Sequence, residues 1–217
     1  APLMPFLDWI FYNKSTKNQI LLNIGGIANF TYLPKMSKKF EVIGFDTGPG
    51  MSLIDELCLL EWNEEYDFNA KYSIKGKIIK ELLNDLMDNI YINKKYPKST
   101  GRDEFGKDFV KDVLKKWSNF STKDILRTFI AFSAKSIWKN ILKIRNFKHE
   151  NTKLIVSGGG SLHPILIQDL QKYSNLKVSH FYKRKLSSDM KEAFLMAVLG
   201  VCYLEKIPAN MPSVTGA

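Results

Sequence analysis

The sequence predicts an α/β fold, a mixed sheet with helices on both faces and a helical insertion. Three observations predict it. Short apolar runs separated by glycine and lysine open the chain, and an almost wholly helical pattern then fills Asn69 to Asn146. Strand-like and helical segments alternate after that.

Residues 19–24 (QILLNI), 29–33 (NFTYL) and 40–45 (FEVIGF) are strand-like. Gly25-Gly26 separates the first two and Lys35–Lys39 the second from the third, which reads as three antiparallel strands with tight turns. Asp46-Thr-Gly-Pro-Gly50 punctuates the chain, and Met51–Leu60 has a helical apolar period. Ile78, Leu82, Leu83 and Leu86 mark one amphipathic face, and Phe105, Phe109, Val113 and Trp117 another. A long helix starts near Thr122, with Ile125, Phe129, Phe132, Ile137 and Ile141 inward and Ser121 and Asp124 as a capping pair. Tyr96–Arg102 has turn chemistry. Leu154–Val156 is a buried strand ending at Gly158–Gly160, residues 163–173 are helical, and Leu176–Phe181 is strand-like. Asp189–Glu205 is helical, with Asp189 as N-cap. The order β-β-β-α, an insertion over about 62–150, then β-α-β-α is that of one actin-like (ribonuclease-H-like) ATPase lobe. No internal repeat or linker divides the 217 residues.

The net charge of +10 comes from scattered lysines in a chain also rich in Asn and Ile. No basic arm or stripe with aromatic platforms is present, so a nucleic-acid-binding module is not indicated. No apolar run approaches the ~18 residues of a membrane span, and APLMPFLDWIFYNK lacks the order of a signal peptide. Without an initiating Met, the chain is expected to begin inside a longer protein. Cys58 and Cys202 sit in apolar helical patterns with no CxxC pair, so they read as free buried thiols of a cytoplasmic protein. The three histidines do not cluster.

Chemistry concentrates at three glycine-rich segments, Asn23–Asn29, Phe45–Gly50 and Ser157–Ser161. Glycine lets backbone N–H groups approach an anion, and in open α/β sheets ligands gather at strand carboxyl ends. Asn23, Gly25, Gly26, Asn29, Gly48, Gly50, Gly158, Gly159 and Gly160 are the candidate nucleotide-binding residues. Asp46 could hold magnesium, or could simply form a turn. Asp55 reads as a helix-surface acid. Lys98 and Arg102 bracket Ser99-Thr100-Gly101 and could grip a phosphate or a sugar carboxylate, or be solvated charges of an exposed loop. Gly101–Asp108 nearly fits a P-loop, but Asp108 replaces the hydroxyl, Asp103 and Glu104 would repel phosphate, and no strand precedes it.

Leu22–Asn29, Gly44–Gly50, Pro97–Arg102 and Gly158–Gly160 resemble, in order, the signature blocks of the anhydro-N-acetylmuramic acid kinase family. Ala1–Pro5 resembles the end of the family's G-A-P-L-V-P block, and Pro212–Ala217 its C-terminal block. The resemblance spans the chain. It implies the C-terminal lobe of an actin-like kinase that uses ATP and Mg²⁺ to phosphorylate O6 of 1,6-anhydro-N-acetylmuramic acid while water opens the anhydro ring. By the same analogy the Asn23–Asn29 hairpin is a phosphate loop, Asp46 lies near magnesium and Gly158–Gly160 against adenosine. Lys98, Ser99, Thr100, Gly101 and Arg102 belong to the sugar side.

The resemblance also implies what this sequence lacks. The first phosphate loop and the water-activating Asp belong upstream, so the chain alone is expected to be silent, with no catalytic residue of its own. Met51 replaces the family's usual Asn, Leu162 and His163 stand for an Arg-Asn-like pair, and Ala131 for a sugar-contacting Glu. An exposed cleft face would favour self-association, a homodimer included. Two alternatives stay open: another actin-fold kinase with a different small substrate, and a non-catalytic nucleotide-binding descendant.

Overall fold

The computed structural model describes residues 3–181 and 190–215. Five strands, β1 (Asn18–Ile24), β2 (Ile27–Leu33), β3 (Ile43–Pro49), β4 (Thr152–Ser157) and β5 (Val178–His180), form one sheet in the order β3-β2-β1-β4-β5. The β1–β2 and β2–β3 pairs are antiparallel, whereas β4 runs parallel to both β1 and β5. β1, β3, β4 and β5 therefore end at the same edge, and their carboxyl ends meet there. The sheet is mixed, as the alternation in the sequence predicts.

β1 lies at the centre because its apolar run can be buried on both faces. Ile20, Leu22 and Ile24 point into the larger core, with Ala28, Phe30, Tyr32, Phe45, Leu154 and Val156. Leu21 points the other way, into a smaller cluster with Phe6, Leu33, Val42, Ile155, Phe181 and Cys202. Nine α-helices are described: α1 (Met4–Tyr12), α2 (Ser52–Trp62), α3 (Lys80–Met87), α4 (Ile90–Asn93), α5 (Lys107–Lys116), α6 (Thr122–Ile141), α7 (Pro164–Ser174), α8 (Lys191–Leu204) and α9 (Pro212–Thr215).

The larger core lies among α2, α3, α6 and α7, while α1 and α8 cover the opposite face. Helix α6 runs through the larger core. Its Ile125, Phe129, Phe132, Ile137 and Ile141 are buried as predicted, and the Ser121 side chain caps it by accepting from the Asp124 N–H at 3.2 Å. Cys58 and Cys202 are buried and free. No helix among the described residues is long and apolar enough to cross a membrane.

Three elements depart from the sequence reading. The third strand is Ile43–Pro49 rather than 40–45, because Glu41 Oε2 accepts from the Lys38 N–H at 2.6 Å and turns Lys39–Glu41 into a 3-10 helix. Asp46 therefore lies inside β3 instead of following it. Helix α1, unread in the sequence, places Pro5 in its first turn, where the missing N–H costs nothing. The last strand is shorter than Leu176–Phe181. The N-cap reading at Asp189 lies outside the described residues; α8 begins at Lys191 with Met190 in the cap position.

Candidate nucleotide and sugar site

A row of polar residues crosses the sheet near its carboxyl edge. Asp46 of β3 pairs with Asn29 of β2, Asn29 with Asn23 of β1, and Asn23 with Ser157 of β4. Residues paired directly in register point to the same face. Asn23 lies two residues beyond Leu21 in β1, so strand alternation puts it on the α1 side of the sheet with that buried leucine. These four residues line a hollow of about 430 Å³, together with Gly158, Lys191, Glu192 and the N-terminal end of α1.

Beyond this row the three glycine-rich segments pack on one another, which requires their missing side chains. The Gly50 N–H donates to Gly26 O at 2.8 Å, Met51 N–H to Gly25 O at 2.8 Å and Ser52 N–H to Gly26 O at 3.0 Å. A Cβ on Gly50 would collide with the Gly25 carbonyl oxygen. One on Gly158 would sit 2.6 Å from Ile24 O, at a backbone φ of +82°. Gly48 and Gly50 are buried and shape the turn without lining either hollow.

A second hollow, of about 660 Å³, lies on the other side of the hairpin tip. Gly25, Gly26, Gly159 and Gly160 line it with Met51, Tyr66, Phe68 and Leu162, a mainly apolar wall. The β1–β2 turn thus divides the candidate nucleotide residues. Asn23, Asn29 and Gly158 face the first hollow, and Gly25, Gly26, Gly159 and Gly160 the second.

Asp67 and His163 also line the second hollow. His163 caps α7, its Nδ1 accepting from the Leu166 N–H at 3.2 Å, so Nε2 carries the proton toward Asp67 Oδ2 at 3.3 Å. Burial pushes the Asp67 carboxyl up. Bonds from His163, Ser73 and the Tyr72 and Ser73 N–H groups outweigh it and leave the group below its usual range. Asp55, read as a surface acid, is instead half-buried, lines this hollow, and has an Oδ1 with no hydrogen-bond partner.

Burial raises the Asp55 carboxyl to about 6, opposed by Arg102 and His163. A folded-state value above the unfolded one means that the native state holds the extra proton, so stability falls as pH rises from about 4 to 6. Asp55→Asn, neutral throughout, is expected to melt higher than the parent at pH 8. That advantage should vanish by pH 4, and thermal melts at both values check it.

The Lys98–Arg102 segment lies along β3, the edge strand. Asp46 Oδ2 accepts from Ser99 Oγ at 2.7 Å and from the Thr100 N–H at 3.1 Å, and the Asp46 carbonyl accepts from Tyr91 Oη at 2.8 Å. Lys98 is buried, not solvated. Its ammonium donates to Tyr91 O at 2.7 Å and Ile92 O at 3.4 Å and lies 4.3 Å from the Tyr91 ring centroid. Burial and the neighbouring Lys143 pull its pKa down to about 7. Arg102 is largely exposed, 3.7 Å from Glu56 and against Gly26. Gly101 turns the loop where a Cβ would meet the Asp103 carboxylate.

No group of three or more His, Cys, Asp or Glu among the described residues could cage a metal. A lone carboxylate, Asp46, suits magnesium held mainly by phosphate oxygens and water. Ala131 is wholly buried in the core and lines neither hollow. The sequence reading missed Lys191, Glu192, Tyr66, Asp67 and Phe68, and did not single out Ser157. Strand register would have found Ser157, while the others come together only through tertiary packing.

The chain resembles known proteins along its whole length. The family model for anhydro-N-acetylmuramic acid kinase matches residues 1–217. A kinase of that name from Bacillus cereus (strain ATCC 10987 / NRS 248) is 36% identical over 220 residues, covering 100% of this chain and 57% of its own. Another from Francisella tularensis subsp. novicida (strain U112) is 36% identical over 217 residues, again 100% and 57%. The chain thus spans a little over half the length of these relatives. Among solved structures, ligand-bound xylulose kinase from Lactobacillus acidophilus superposes with a TM-score of 0.53 at 14% identity, covering 91% of this chain and 42% of that one. The α/β class with a mixed sheet is as the sequence predicts. On its match over every residue and on these relatives, the chain belongs to the anhydro-N-acetylmuramic acid kinase family.

Proposed function

We propose that the whole protein is an ATP-dependent kinase of cell-wall sugar recycling. It converts 1,6-anhydro-N-acetylmuramic acid to N-acetylmuramic acid 6-phosphate. The γ-phosphoryl group passes to O6 as the C1–O6 bond breaks and water adds at C1, leaving ADP. This chain is the C-terminal lobe, with residues about 62–150 as its helical insertion; the upstream lobe supplies the other phosphate loop and the water-activating carboxylate. Its setting is the cytoplasm, and its small-molecule partners are ATP and the amino sugar.

The observation that supports this reading best is the polar row Asp46–Asn29–Asn23–Ser157, which lines one hollow beside the glycine turns at Gly25–Gly26 and Gly158–Gly160. The first hollow takes the phosphates, with Asp46 near magnesium, which when bound would screen phosphate charge. The second, apolar and glycine-walled, takes adenosine. Ser99, Thr100, Gly101 and Arg102 face the sugar, and Lys98 holds that loop in place through its backbone bonds. A coupled assay of the whole protein with ATP, Mg²⁺ and 1,6-anhydro-N-acetylmuramic acid tests the reading. Formation of the 6-phosphate is expected. No product from folded protein that binds ATP would overturn the substrate assignment and leave an actin-fold kinase with a different small substrate or a non-catalytic nucleotide binder.

A further inference from the structure

The first hollow holds more carboxylates than cations. Asp46 and Glu192 line it, and Lys191 is the one cationic side chain lining it among the described residues. Lys191 is 5% exposed, although it is a lysine at the start of a helix. Its ammonium lies 2.9 Å from Asp8 Oδ1 and 4.6 Å from the Phe181 ring centroid. Asp8 is itself fixed, because Thr31 Oγ1 donates to its Oδ2 at 2.8 Å. Helices α1 and α8 and strand β2 therefore converge on one buried cation beside the polar row. An ammonium carries three donor hydrogens, and a single carboxylate oxygen satisfies one of them.

We propose that Lys191 is a phosphate-contacting cation of the first hollow and that Asp8 is its positioning residue. The inference rests on the reading that this hollow takes nucleotide phosphates. Burying a phosphate chain beside Asp46 and Glu192 demands opposite charge, and Lys191 supplies this chain's share of it next to any bound magnesium. Asp8 keeps the ammonium at a defined point and balances its charge when no anion is bound. The two residues then act on anion binding with opposite signs, which a purely structural ion pair would not do.

The test uses the whole protein with ATP and Mg²⁺ as the anionic probe and adenosine as the neutral one. Lys191→Met is expected to weaken ATP binding about tenfold or more while leaving adenosine binding unchanged. Asp8→Asn leaves the cation uncompensated, so ATP should raise its melting temperature by more than it raises the parent's. If Lys191→Met does not fold, the double variant D8N/K191M removes both charges together, and it should show the same selective loss of ATP binding. Parent-like ATP affinity in either folded Lys191 variant would overturn the proposal. Equal losses of ATP and adenosine binding in all variants would also overturn it, by reducing the pair to a structural one. Failure of the unmutated protein to bind ATP would instead strike the underlying reading of the hollow.

Discussion

Gly158→Ala in the whole protein is expected to lose about 2–6 kcal/mol of folding stability and to weaken nucleotide binding. Gly158 has φ +82° and ψ 166°, a region essentially reserved for glycine, where other residues cost about 1–3 kcal/mol. Its new Cβ would also press on the Ile24 carbonyl at 2.6 Å and Asn23 Oδ1 at 2.8 Å. Ile24 O is backbone and cannot swing aside, so overpacking adds about 1–3 kcal/mol more. The combined loss, about 2–6 kcal/mol, is a large part of the ~5–15 kcal/mol that folds a domain. Gly159→Ala is the control, since a Cβ there meets nothing within 4 Å. Urea denaturation should show that loss for the first variant and a change within about 1 kcal/mol for the second.

Asp46 carries the second large effect, and two substitutions separate its roles. Asp46→Asn keeps an oxygen to accept from Ser99 Oγ and the Thr100 N–H but removes the charge. It should fold almost like the parent while turnover of the anhydro sugar falls about 10²–10³-fold, the scale of losing one preorganised electrostatic group. Asp46→Ala loses the loop anchor as well, costing a further ~1–3 kcal/mol of stability. Its KM for the sugar should then rise, because Ser99 to Arg102 would no longer be held against β3. Melting temperature, kcat and KM on the two variants distinguish the anchor from the charge.

Why some of this was legible and some was not follows from how far each feature depends on local chemistry. The three glycine-rich segments announce themselves, because tight packing at strand ends excludes side chains and leaves glycine in the sequence. Helix α6 was equally plain, as its apolar period and the Ser121 cap are properties of one segment. The third strand slipped by three residues because alternation in 40–45 fits a strand, while the bond from the Lys38 N–H to Glu41 competes for the same backbone. In the sequence Lys98 reads either as a cation that grips a phosphate or sugar carboxylate or as a solvated charge, and neither reading shows its burial. Only the fold brings the Tyr91 and Ile92 carbonyls to its ammonium. Lys191 and Asp8 are 183 residues apart, and no periodicity within either helix reveals their meeting beside the Asn23–Asn29 hairpin.

At the centre of the proposed function, the nucleotide lies across the β1–β2 turn, with phosphates on one side and adenosine on the other. Amide hydrogen exchange of the whole protein, with and without a non-hydrolysable ATP analogue and Mg²⁺, tests this most directly. New protection is expected at Gly25–Gly26, Met51 and Gly158–Gly160. None is expected at the hollow of about 760 Å³ around Lys35, Arg145 and Lys148, near the start of β1. Protection at that end, with the glycine turns unchanged, would contradict the placement.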